Sequence, residues 1–396
     1  MSFNEVNEKI GKYRWTICAL VFFATTINYL DRNVLGLLKE TLSNDGVFGA
    51  DKANQELYYS WVVISFQVAY ATGMLLAGRF IDWIGTKRGY GFALLGWSIA
   101  AIGHAFGHNT FTFGFWRAAL GLSEAGNFPA ANKTVAIWFP KKERAYATGI
   151  YNSGANVGAI VAPLFVPWIA DHWGWEWAFV LTGAVGLIWL YFWFRTYASP
   201  EEKLKAGKLL QPEYDHIHSD KDEINEKESA DKDKVSWFKL LTYRQTWAFF
   251  FGKFLTDPIW WFYLFWLPAF LSGENTRKIE LFLSNNPGYS GDTADIPGVI
   301  TWPLAVAIVY TIATFGSILG GWLPKKFING GMDANKARKL SMFIYALFPL
   351  SVLLASTLGE INTWLAVLTI AIACSAHQAW SANIFTTVSD MFPKKA

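Results

Sequence analysis

Four ionisable residues lie in otherwise apolar stretches of this 396-residue chain: Asp31 and Arg32 in one stretch, Arg117 and Glu124 in another. At the centre of a membrane-spanning helix each costs about 2.5–3.5 kcal/mol, so each marks either a function or a compensating partner. An arginine presents a planar fork suited to a carboxylate, and a carboxylate in a low dielectric can hold a proton near neutral pH. That combination is what coupling a proton to an organic anion requires. The competing arrangement is purely structural, with Asp31 paired to Arg32 and Arg117 to Glu124 as mutually compensating ions. If the first stretch runs outward to near residue 38 and the other inward from near 110, a rise of about 1.5 Å per residue sets the depths. Asp31, Arg32 and Arg117 then lie roughly 10 Å below the outer surface. Glu124 follows Arg117 on the same helix face, near the midplane.

Further hydrogen-bonding residues fall within apolar stretches: Tyr29, Tyr70, Asn152, Asn156, His377, Gln378, Ser381 and Asn383. Any one of them alone could serve helix packing. His377 has no accompanying ligands in the sequence that would make it a metal site or an enzymatic base, and no nucleophile set is evident. Lys133 falls on the face opposite Glu124 and is expected to snorkel toward water. Lys253 and Asp257 are spaced for either a local ion pair or a gating contact. Cys18 and Cys374 sit in apolar segments and read as packing residues, with neither a disulfide framework nor a cofactor implied.

The elements that must position these groups are long apolar helices. Hydrophobic residues make up 53% of the chain and charged residues 16%, proportions that exclude an ordinary soluble globule. Ten apolar stretches are long enough to span a hydrocarbon core of roughly 30 Å. They lie near 15–37, 57–78, 88–107, 110–138, 144–169, 175–197, 242–271, 299–323, 339–358 and 361–391. Prolines within them, such as Pro163, Pro167, Pro258 and Pro268, are tolerated between packed membrane helices. No alternating pattern supports a strand-based barrel.

Lysine and arginine collect on one side of the predicted membrane. They include Lys9, Lys12 and Arg14, then Arg79, Lys87 and Arg88, then Lys141, Lys142 and Arg144, and finally Lys325, Lys326, Lys336, Arg338 and Lys339. The other side has Lys39, Lys52, Arg277 and Lys278. The asymmetry predicts a cytoplasmic N-terminus. The net charge of +3 is thus a topology signal and gives no reason to invoke nucleic acid. No cleavable signal peptide and no obligate protein partner is evident.

Residues 198–236, dense in both signs of charge, read as a cytoplasmic connector between an N-terminal six-helix half, 1–197, and a second half, 237–396. An internal repeat supports two halves. Residues 134–142 align without gaps on 387–395, including Thr-Val and Phe-Pro-Lys-Lys in both. Gly78 and the residues after it likewise correspond to Gly320 and Gly321 with Lys325 and Lys326. Helices seven to ten therefore repeat helices one to four. Two helices follow this sequence in the first half and none in the second, so the expected architecture is about ten of twelve helices, in a truncated product or fragment. Gly154-x-x-x-Gly158 and Gly316-x-x-x-Gly320 mark faces for close helix approach.

The segment Gly78-x-x-x-Asp82-x-x-Gly85-x-Lys87-Arg88 resembles the signature loop of the major facilitator superfamily. Asn28 through Arg32, Arg117 with Glu124, and Phe139 through Ala145 resemble its anion:cation symporter family. Lys253 through Trp261 and His377 through Asn383 look more narrowly like hexuronate transporters. The resemblance implies an all-α, multi-pass inner or plasma membrane protein carrying a hexuronate-like sugar-acid anion with protons by alternating access. It implies Arg32 as the contact for the substrate carboxylate, Asp31 and Glu124 as protonation sites, and Arg117 as the group coupling them. Tyr29, Tyr70, Asn152, Gln378 and Asn383 would contribute to binding, while Gly78, Asp82, Gly85 and Arg88 would form the conformational loop. Alternative readings are another organic anion such as an aldonate, sodium coupling, or an inactive truncated fragment.

Overall fold

The computed structural model describes residues 11–219 and 241–391, and every regular element among them is helical. The chain divides into two compact units, Met1–Glu228 and Ser229–Ala396. Among the described residues, seven helices are long and apolar enough to cross a membrane by length and composition. Large apolar side chains such as Leu75, Phe111 and Leu353 are exposed, an exterior suited to lipid rather than water.

The first unit contains α1 (Tyr13–Leu37), the short α2 (Lys39–Asn44), α3 (Lys52–Ile84), α4 (Thr86–Gly103), α5 (Thr110–Glu124), α6 (Asn127–Trp138), α7 (Lys141–Trp173) and α8 (Trp175–Thr196). α1 packs along α7, α3 along α5, and α4 along α8. The α1–α7 crossing is close because two glycines line it. A Cβ on Gly154 would lie 2.5 Å from the carbonyl oxygen of Phe22, and one on Gly158 would collide with that of Thr26.

Two differences from the sequence expectation bear on the site. The fourth predicted span is broken between α5 and α6 at Ala125 and Gly126. Pro129, in the first turn of α6, has no N–H to donate to the carbonyl of Ala125, so the helical ladder is interrupted there. Glu124 therefore ends a half-helix. The second difference is the stretch 78–88, expected as a loop. α3 continues through Gly78 to Ile84, and the chain turns at Gly85 alone, where φ is +83°. Only a residue without a Cβ adopts that conformation at no steric cost. Gly78 lies inside the helix with nothing within 4 Å of the place its Cβ would occupy.

The described part of the charged connector holds two short helices. α9 (Pro200–Lys205) and α10 (Gln211–Ile217) fold back onto the first unit; residues 220–236 lie outside the described residues. Glu213 accepts the backbone N–H groups of Tyr13 at 3.2 Å and Arg14 at 2.9 Å, satisfying donors that the first turn of α1 leaves orphaned. Buried Arg14 pairs with Glu143 at 2.9 Å and Glu213 at 3.4 Å, and His216 Nε2 lies 3.0 Å from Glu143. One cluster thus joins α1, α7 and α10.

The second unit contains α11 (Arg244–Asn285), α12 (Trp302–Leu319), α13 (Trp322–Asn329), α14 (Ala334–Leu347), α15 (Ala355–Ile361) and α16 (Thr363–Met391). A 3-10 segment, Phe348–Leu354, links α14 to α15, so the ninth predicted span is irregular around Pro349. α11 runs past the expected end at 271: residues 272–285 hold no proline, accommodate Gly273 within the helix and include the Glu274–Arg277 pair at 2.9 Å. α12 packs along α16, with Gly316 and Gly320 lying against Ser375 and Ala379. The pairing of α3 with α5 in the first unit recurs here as α12 with α16, as the internal repeat predicts.

Candidate functional site

The four ionisable residues of the first unit converge in its interior, each no more than 2% exposed. α1 contributes Asp31 and Arg32, and the half-helix α5 contributes Arg117 and Glu124. Arg32 donates from Nη2 and Nε to the same oxygen, Oε2 of Glu124, at 2.7 and 2.9 Å. Nη2 also lies 3.2 Å from Oδ1 of Asn28, one turn back on α1. Arg117 donates to the main-chain carbonyl of Arg32 at 2.7 Å. The observed ion pair therefore crosses between helices, Arg32 with Glu124, and is not formed between sequence neighbours.

Two carboxylate edges remain without hydrogen bonds. Oε1 of Glu124 and both oxygens of Asp31 are buried with no partner among the described residues. Thr182 on α8 and Arg117 lie near enough to act on the charge of Asp31. A buried acceptor left unmade costs about 1–3 kcal/mol, and a charged one more. Glu124 also sits at the negative end of the α5 helix dipole, so the Arg32 guanidinium offsets a like-signed environment.

An aromatic shell surrounds the Arg32 guanidinium. Its carbon lies 4.8 Å from the ring centroids of both Tyr29 and Tyr70, and 5.3 Å from that of Phe66. Phe66 also faces Arg117 at 5.1 Å and stacks on Tyr70, one turn along α3. Cation–π contacts of this kind contribute roughly 0.5–2 kcal/mol each when desolvated. Asn28 and Phe66 are site residues that sequence reasoning passed over. The available signal was spacing, since each lies four positions from a selected residue, Arg32 or Tyr70, on the same helix face.

The remaining selected residues lie elsewhere. Asn152 is exposed on α7. In the second unit, Gln378 is half-buried on α16. Asn383 is buried, and its amide donates to the carbonyls of Gly320 at 2.6 Å and Ala379 at 2.9 Å, binding α16 to the end of α12. His377 Nε2 contacts the carbonyl oxygen of Thr256 at 2.7 Å, and its ring stacks on Trp260. Lys253 and Asp257 form the local pair, at 2.5 Å. Around the α3–α4 turn, Asp82 pairs with Lys133 of α6 at 2.6 Å, while Arg88 is exposed at the start of α4. Lys133 thus reaches the last turn of α3 and finds a carboxylate there.

Long apolar helices enclosing a buried guanidinium–carboxylate pair are the features of a helical membrane protein. Residues 21–396 match the Major Facilitator Superfamily, and the chain belongs to that family. It is 29% identical to the hexuronate transporter of Escherichia coli K12 over 389 residues, 97% of this chain and 82% of the relative. It is 30% identical to the D-galactonate transporter of E. coli O6:H1 over 337 residues, 84% of this chain and 71% of the relative. The galacturonate transporter of Dickeya chrysanthemi is 29% identical over 322 residues, 81% of this chain and 84% of the relative. Among solved structures, the partially occluded inward-open xylose transporter XylE of E. coli superposes with a TM-score of 0.67 at 15% identity, covering 97% of this chain and 86% of XylE. That likeness shows the shared fold.

Proposed function

We propose that the chain is a proton-coupled symporter of hexuronate or related sugar-acid anions, working by alternating access in the inner membrane with its N-terminus cytoplasmic. In this reading residues 1–197 and 237–396 are the two transport halves and 198–236 the connector. The observation that carries it is the pair between Arg32 and Glu124. Both charged forms are buried, and the pair occupies the fork that a substrate carboxylate would use.

Charge counting gives the coupling. With both carboxylates ionised, Asp31, Arg32, Arg117 and Glu124 sum to zero. Protonating Glu124 leaves one net positive charge and weakens its hold on Arg32. A sugar-acid carboxylate then takes the guanidinium and restores neutrality. Asp31 is the second protonation site, and Arg117, tied to the Arg32 carbonyl, transmits the change between α5 and α1. Tyr29 and Tyr70 flank the guanidinium and offer hydroxyls to the sugar. Gln378 and, less directly, Asn152 supply further polar contacts, while the amide of Asn383 is already engaged with main chain. Relatives named for a hexuronate, a galacturonate and a galactonate support the substrate class. The galactonate relative keeps an aldonate as a second reading.

The test is uptake of labelled glucuronate and galactonate into proteoliposomes under an imposed pH gradient, with and without sodium. Uptake driven by an inward proton gradient is expected, with one substrate preferred. Accumulation that follows a sodium gradient and ignores pH would overturn the coupling.

A further inference from the structure

Five asparagines are buried among the described residues: Asn28, Asn33, Asn127, Asn275 and Asn383. Four of them donate from Nδ2, to the carbonyls of Tyr29, Ile300 and Gly320 or to the hydroxyl of Thr25. Nδ2 of Asn28 is the exception, buried and without a hydrogen-bond partner among those residues. We propose that Asn28 is a specificity-determining residue, whose amide N–H donates to the oxygen on the carbon next to the carboxylate of a bound sugar acid. This rests on the reading of Arg32 as the contact for the substrate carboxylate.

The neighbour of Asn28 fixes the orientation of its amide. A guanidinium only donates, so Oδ1 faces Nη2 of Arg32, at 3.2 Å, and Nδ2 is turned away from it. Nη2 carries two hydrogens, one held by Asn28 and the other by Oε2 of Glu124, at 2.7 Å. A substrate carboxylate that replaces Glu124 on Nη2 and Nε leaves the hydrogen held by Asn28 undisturbed. The amide then borders the carboxylate, because both share the same nitrogen. Asn28 also shares the burial of Arg32 and Glu124, so one opening of the site exposes all three.

Substrate chemistry supplies the missing acceptor. In a hexuronate ring the carbon next to the carboxylate carries the ring oxygen, and in an aldonate it carries a hydroxyl. Both accept a hydrogen bond, so one donor serves either class. Holding Arg32 in place needs only Oδ1, and the unspent half of a buried amide costs free energy until a ligand meets it. An aspartate at this position would accept from Arg32 more strongly. It would also bring a third carboxylate to the anion site and offer no donor.

The experiment measures apparent affinity by thermal stabilisation of the purified full chain with two matched pairs of ligands. One pair is glucuronate and its carbocyclic analogue, in which a methylene replaces the ring oxygen; the other is galactonate and 2-deoxygalactonate. In a pair whose parent binds, the wild type should prefer the parent roughly five- to tenfold. Asn28→Ala and the nearly isosteric Asn28→Leu should bring that ratio close to one. A ratio taken within one protein does not depend on how much of a preparation is folded. Arg32→Lys should weaken parent and analogue alike, which tests the carboxylate contact separately. Equal binding of parent and analogue by the wild type would overturn the proposal without any variant. A ratio unchanged in the Asn28 variants, with both ligands weakened equally, would overturn it as well and leave the amide only the task of holding Arg32. Binding of neither parent would instead remove the sugar-acid reading on which the proposal rests.

Discussion

Arg32 and Glu124 are 92 residues apart in sequence and 2.7 Å apart in space. Removing one member of a buried pair leaves the other uncompensated, at a cost of about 3–5 kcal/mol. Glu124→Gln keeps the size and one acceptor but cannot exchange a proton. In proteoliposomes it should retain counterflow of sugar acid while losing acceleration by a pH gradient. Full proton-driven uptake by that variant would remove Glu124 from the coupling. Arg32→Lys keeps the charge but not the fork, and it leaves three aromatic rings, Tyr29, Phe66 and Tyr70, without their planar partner. Its apparent affinity for glucuronate should fall about tenfold or more, read as a rise in KM or a weaker shift in thermal unfolding by substrate. Neither pairing nor aromatic shell was visible in the sequence, which showed four charges at compatible depths and left their partners open.

At the scale of elements, the α1–α7 crossing depends on Gly154 and Gly158. Gly158→Leu would push a side chain into the backbone of Thr26 and displace Tyr29, which borders the site. Overpacking of this kind costs typically about 1–3 kcal/mol; a drop in melting temperature should accompany reduced uptake, whereas Gly321→Ala, with open space around it, should leave both near wild type. The glycine spacing marked this face of α7 for close approach, and the structure decided that α1 fills it. The α10 contact with α1 was not announced, because Glu213 reaches the N–H groups of Tyr13 and Arg14 across some 200 residues. Burial opposes ionisation of Glu143 there, but hydrogen bonds and charge from Arg14 and His216 outweigh it and hold the carboxyl below its ordinary value of 4.5. A depressed carboxyl contributes stability above its unfolded value and loses it as pH falls through the folded one. The stability difference between wild type and Glu143→Gln should therefore be constant near neutrality and shrink below about pH 4.5. A difference that grows with acidification would contradict the assignment.

For the whole molecule, the distribution of lysine and arginine predicts which ends face the cytoplasm. Cys18 and Cys374 are buried, so introduced thiols can report topology against a low background. With an impermeant maleimide on intact cells, Asn285→Cys should label from outside and Ser199→Cys only after permeabilisation. The opposite pattern would invert the proposed orientation. The recurrence of the α3–α5 pairing as α12–α16 places the two units in one repeat scheme, which the alignment of 134–142 on 387–395 had already implied.

Helical class and most of the spans were written in the sequence, since each follows from local composition or periodicity that water and lipid read directly. The positions of the intramembrane charges were written there too. Tertiary structure alone decided that Glu124 serves Arg32, that Arg117 grips the Arg32 carbonyl, and that Asp82 meets Lys133. Those choices depend on how helices cross. A shift of one turn along either helix leaves its apolar character unchanged while exchanging its polar partners.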